Sequence, residues 1–104
     1  MVNQFDTLSG AIDDLKGRGY IYSFKIEKDE AMCIETLDFV KPEDMTVIEY
    51  HRFEGQSSED DMSVVYAVES SGGLKGLIID AYGTYANPNL TLFLSKVKMK
   101  EGLS

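Results

Sequence analysis

Few residues in this chain could do chemistry, and their spacing limits what that chemistry would be. His51 is the single histidine and Cys33 the single cysteine. A structural zinc centre needs a cluster of such ligands, so none can be built here. As a nucleophile, Cys33 would need a neighbouring base, and only His51 could serve. Its place between Met32 and Ile34 favours a buried, inert thiol instead. His51 reads first as a half-buried strand residue. Glu54 and Glu59-Asp60-Asp61 offer oxygen ligands for a hard cation. They lack the spacing of a calcium-binding loop, and a solvated loop accounts for the same residues. Gly72-Gly73-x-x-Gly76 is not followed by the Lys-Ser/Thr pair of a phosphate loop, and it joins two strands rather than a strand and a helix. No cofactor or metal is implied.

The segment Asp80-Ala81-Tyr82-Gly83-Thr84-Tyr85 carries the remaining chemistry. A carboxylate late in a central strand requires a partner, and Arg52 or a tyrosine hydroxyl could supply it. Arg52, Asp80, Tyr82 and Tyr85 could line a small polar pocket at the strand end. With His51 they would suit a small hydrolase or isomerase. They could equally form a structural network that holds the turn at Gly83. His51 and Arg52 are adjacent, so a regular strand points them to opposite faces, which is awkward for one catalytic site.

The elements that must position these residues follow from periodicity. Residues 5–16 carry Leu8, Ala11, Ile12 and Leu15 at helical spacing. Asp6 or Thr7 serves as N-cap, Phe5 as staple, and Gly17 or Gly19 as the stop. Residues 20–27 alternate as a strand, Asp29-Glu30 forms a turn, and residues 31–35 form a second strand. Lys41-Pro42-Glu43-Asp44 is a helical turn with Pro at its first position. Residues 46–53 form a third strand, with Ile48 and Tyr50 on one face and Val47, Glu49, His51 and Phe53 on the other. Residues 54–61 are a loop, and residues 62–70 and 74–82 are the fourth and fifth strands. A two-residue Gly72-Gly73 hairpin loop would set Val64 opposite Ala81, Tyr66 opposite Ile79 and Val68 opposite Leu77, with Asp80 across from Val65. Asn87-Pro88 opens a final helix with the stripe Leu90, Phe93, Leu94 and Val97. The lysines Lys96, Lys98 and Lys100 alternate as a strand would, but the stripe favours helix. The expected fold is therefore α+β, in the order α-β-β-β-β-β-α. It is a mostly antiparallel sheet of about five strands, with the N-terminal and C-terminal helices on one face.

The chain has 104 residues, 18 acidic and 10 basic, for a net charge of −8. This fits a single domain spanning residues 1–104. The acidic balance argues against binding nucleic acid or an anionic membrane directly, since both require a cationic surface. No signal peptide or membrane-spanning run is visible. The lone cysteine suits a reducing cytoplasm.

At several points the chain resembles a family of small bacterial proteins often labelled phosphoribosylpyrophosphate synthetase. The matching residues are Thr7-Leu8-Ser9, Asp14-Leu15-Lys16 and Gly19-Tyr20; Arg52-Phe53-Glu54-Gly55; Ser63-Val64-Val65-Tyr66-Ala67; Gly73 and Lys75-Gly76; and Asp80-Ala81-Tyr82-Gly83 with Tyr85. The likeness covers most of the chain and weakens after Tyr85. The label would demand a site for ATP, ribose phosphate and Mg²⁺. In such synthetases two acids follow an apolar run and precede a Thr/Gly phosphate loop. Asp13-Asp14 lies in a helix, Asp60-Asp61 precedes a strand, and neither is followed by that loop. The resemblance thus implies a shared fold and leaves the role open.

Three roles are compatible with these residues. The first is a non-catalytic binding or regulatory module with a protein partner or a second copy of itself, docked on a sheet face carrying Val65, Ala67 and Ile78. The second is the small enzyme with its pocket near Asp80 and Tyr82. The third is an acidic mimic of nucleic acid.

Overall fold

The computed structural model describes residues 8–53, 63–81 and 88–100. The expected N-cap and staple (Asp6, Thr7, Phe5), the acidic loop 54–61, and Tyr82, Gly83, Tyr85 and Asn87 lie outside them. Helix α1 is Leu8–Gly17, and it buries Ala11 and Leu15 with Ile12 half-buried beside them. The helix ends in a Schellman motif. The Tyr20 amide donates to the Leu15 carbonyl and the Gly19 amide to the Lys16 carbonyl, which satisfies two terminal acceptors. Gly19 holds φ at +106°, a conformation that costs other residues about 1–2 kcal/mol. Gly19→Ala should therefore destabilise the fold by about 1 kcal/mol in urea titrations. Gly17→Ala should not, because its φ is not positive and an added Cβ meets nothing.

Among the described residues seven strands follow: β1 (Tyr22–Glu27), β2 (Glu30–Cys33), β3 (Phe39–Val40), β4 (Met45–Phe53), β5 (Ser63–Ser70), β6 (Lys75–Ala81) and β7 (Lys98–Met99). A 3₁₀ turn over Pro42–Asp44 precedes β4, with Pro at its start as its sequence implied. The β1–β2 turn falls at Lys28-Asp29, one residue before the expected place. Helix α2 (Pro88–Lys96) buries Leu90 and Phe93. The chain beyond it is neither a continued helix nor free: β7 pairs parallel with β4. The strands form one sheet in the order β3-β2-β1-β6-β5-β4-β7. The fold is α+β, but the sheet has seven strands rather than five and is mixed. The β1–β6 and β4–β7 pairings are parallel, and the others are antiparallel.

The β5–β6 hairpin differs from the expected register by one residue. Ser71-Gly72-Gly73 form the loop. The Gly73 amide donates to the Ser70 carbonyl and the Ser70 amide to the Leu74 carbonyl. Gly73 has φ +95°, the left-handed position of a three-residue loop. Tyr66 consequently pairs with Ile78, Ala67 with Leu77 and Val64 with Asp80. This register makes both sheet faces apolar. Val65, Ala67 and Leu77 pack under α1, whereas Val68 and Ile78 lie in the cluster that contains Leu90 and Phe93 of α2. A sheet with two apolar faces needs cover on both, so the helices lie on opposite faces rather than on one. Val65, Ala67 and Ile78 are buried and cannot form the docking surface expected of them.

Strand β4 has a bulge between Val47 and Glu49. Val47 pairs with Val68 and Glu49 with Ala67, so two residues that would share a face of a regular strand face opposite helices. Ile48 packs with the α1-side cluster, and Tyr50 with the α2-side cluster. A bulge re-aims every side chain beyond it. Here it sends Glu49, His51 and Phe53 to α1, and Tyr50 and Arg52 to the other side.

Candidate functional site

Two of the four expected pocket residues are brought together. The registers Arg52–Val64 and Val64–Asp80 set Arg52 and Asp80 in one row across three strands, on the α2 side of the sheet. Asp80 thus faces Val64, not Val65. In the next row Tyr50 and Tyr66 stand side by side, ring centroids 6.0 Å apart, with the Arg52 guanidinium 5.8 Å from the Tyr50 ring centre. Burial pushes the Tyr66 phenol above its ordinary pKa. The Arg52 charge opposes that shift, and the Asp80 charge adds to it. The cluster can therefore hold a polar group against an aromatic surface. Tyr82 and Tyr85 lie outside the described residues.

His51 takes no part in that row. It is buried on the α1 side, 1% exposed, with Nε2 2.8 Å from Glu49 Oε2. The other Glu49 oxygen accepts a 2.6 Å hydrogen bond from Arg18, which also donates to Asp14 at 3.0 Å. Burial alone would raise the Glu49 carboxyl. The hydrogen bonds and charges of Arg18 and His51 overcome burial and hold it below the usual carboxylate range. An ionised Glu49 is acceptor-only, so Nε2 donates. The chain Asp14–Arg18–Glu49–His51 ties the end of α1 to β4. Cys33 is buried in the opposite cluster, remote from this network. Among the described residues no group of three or more His, Cys, Asp or Glu side chains could hold a metal.

The site that residue types alone did not reveal lies between β1 and β6. Their parallel pairing covers Tyr22–Gly76 and Ser23–Leu77 only, although β1 continues to Glu27 and β6 to Ala81. Beyond these two rungs the strands separate. Gly76 permits the closest approach, since a Cβ there would stand 2.5 Å from the Tyr22 carbonyl oxygen and 2.7 Å from the Phe24 ring. The opening is a cleft of about 430 Å³, within the size range of small-ligand sites. Ile12 and Lys16 of α1 flank one side and Leu90 of α2 the other. Lys25, Ile34, Ile79 and Asp80 also line it. Ile34 and Ile79 are 51% and 49% exposed.

The main chain of the cleft follows from the ladders. Ser23 accepts from the Ile34 amide on the β2 side, so alternation turns Phe24 and Ile26 towards β6. The Ser70–Leu74 closure likewise commits Ile78 and Asp80 to β5 and turns Ile79 towards β1. The next rung would join the Phe24 carbonyl to the Ile79 amide, and the register stops short of it. Asp80 thus belongs both to the cleft and to the Arg52 row. Of the cleft's lining residues, sequence singles out Asp80, as part of a polar pocket, and Ile78, as part of a docking face, and neither reading points to the parting of β1 from β6. Comparison with known protein families, with curated proteins and with solved structures returns no match.

Proposed function

We propose that the protein is a non-catalytic binding module whose ligand enters the cleft between the separated ends of β1 and β6. The early end of the β1–β6 pairing carries this reading, because it opens a largely apolar slot flanked by both helices and edged by a few charged groups. Ligand sites in sheets with parallel strands favour the carboxyl ends of those strands, where neighbours part. No helix among the described residues is long and apolar enough to cross a membrane. The acidic balance disfavours nucleic acid as the ligand, and the buried lone thiol fits a reducing bacterial cytoplasm. The enzymatic reading near Asp80 loses His51 to the opposite face.

A thermal-shift screen tests the proposal. It should cover nucleotides, phosphorylated sugars, divalent metals, medium-chain carboxylates and short peptides. A ligand at about 100 times its dissociation constant adds about 2.7 kcal/mol. At least one class should raise Tm in the native chain and fail to do so in Ile79→Arg, whose side chain is exposed enough for the fold to persist. Equal shifts in both proteins, or none in either, would refute the cleft as the site.

A further inference from the structure

The geometry points to an extended peptide as the occupant of this cleft, added as a strand to the open edge of β6 with an acidic group directed at Lys16 and Lys25. The inference rests on the binding reading above and names its ligand class. A small amphiphile needs only an apolar slot, whereas this slot also has strand edges for walls. The amide and carbonyl of Ile79 face it from β6, and the Phe24 carbonyl and Ile26 main chain face it from β1. These are the groups that strand addition uses. Among the described residues, no registered strand pairing takes them up.

The side chains fit the same occupant. Successive residues of an added strand point to opposite sheet faces. On the α2 side they would meet Leu90 and Ile78, and on the α1 side Ile12 and Ile79. Lys16 and Lys25 stand at the α1-side mouth, and both are exposed. Lys25 is 3.4 Å from Glu27 in an exposed pair, a contact worth little and readily exchanged. Two lysines at one mouth of a protein of net charge −8 favour an acidic side chain or a peptide C-terminus there. Asp80 on the other side disfavours acid at the alternate position. The ligand is thus expected to alternate, with acid towards α1 and apolar side chains towards α2.

A phage-displayed library of random heptapeptides, selected on the full chain, tests this. Enriched sequences should alternate acidic and apolar residues. A synthetic enriched peptide should slow exchange of the Ile79 amide at least tenfold. N-methylation of its cleft-facing amides should weaken binding at least tenfold, as should the exposed double substitution Lys16→Glu/Lys25→Glu. Binding that ignores N-methylation and leaves Ile79 exchange unchanged would overturn strand addition. Decanoate separates the two levels of the argument. If decanoate binds the native chain but not Ile79→Arg, and no peptide is enriched, the peptide inference fails while the binding module stands. If neither probe binds the cleft, both fail.

Discussion

Gly76 is buried, and Gly76→Val should cost about 3 kcal/mol, with Gly76→Ala costing about 2 kcal/mol. At Gly76 an added Cβ meets the Tyr22 carbonyl oxygen at 2.5 Å and Phe24 ring carbons at 2.7 and 2.9 Å. The first of these is backbone and cannot turn aside. The damage falls on the β1–β6 pairing, which among the described residues joins β3-β2-β1 to β6-β5-β4-β7, so relief by strand movement would loosen the halves of the sheet. For a domain this size each kcal/mol lowers Tm by roughly 4–8 °C, so Gly76→Ala should melt about 10 °C early. Gly72→Ala is the control: its Cβ would meet only the Ser70 hydroxyl, at 3.8 Å, and Tm should hardly change.

Glu49→Leu should cost about 1–3 kcal/mol, because it removes the Nε2 partner of a fully buried histidine. The lost Arg18 contact adds less, since Arg18 is 45% exposed. Replacing both partners, in His51→Leu/Glu49→Leu, should restore part of that loss, as no buried imidazole nitrogen is then left without its acceptor. Urea titration of the single and double variants measures the coupling. The pair also sets a pH dependence. The folded Glu49 carboxyl lies below its ordinary range, so its contribution is complete above the unfolded value of about 4.3. It declines as pH falls through the lower, folded value. The Tm gap between native protein and Glu49→Gln should be flat above about pH 5 and narrow below about pH 4.

Local pattern made much of this fold legible. The stripe Leu8, Ala11, Ile12, Leu15 and the stop at Gly19 specify α1, and Pro88 with Leu90, Phe93 and Leu94 specifies α2 and its buried side, whereas Val97 of the same stripe lies beyond the helix. The opposite orientations of His51 and Arg52 were also legible, since adjacent strand residues must diverge. What escaped depends on partners distant in sequence. β3 and β7 span two residues each and exist only through pairing with β2 and β4. The bulge at Ile48 is set by the β5 register, and its effect, turning Glu49 and His51 under α1, leaves no mark in the alternation. The hairpin shift turns on whether two or all three of Ser71, Gly72 and Gly73 lie in the loop beyond its closing pair. Arg52 and Asp80 nevertheless share a row, because Asp80 shifts from Val65 to Val64, the residue that Arg52 pairs with. The cleft was out of reach, because β1 and β6 meet in parallel across most of the chain and part after two rungs.

Native-state amide exchange in the free protein tests the open cleft most directly. The Ile78 and Asp80 amides, turned to β5, should exchange slowly. The Ile79 amide between them, turned to the cleft, should exchange at least a hundredfold faster. Equal protection of all three would show that β1 and β6 stay paired to their ends, and that no slot exists for a ligand to enter.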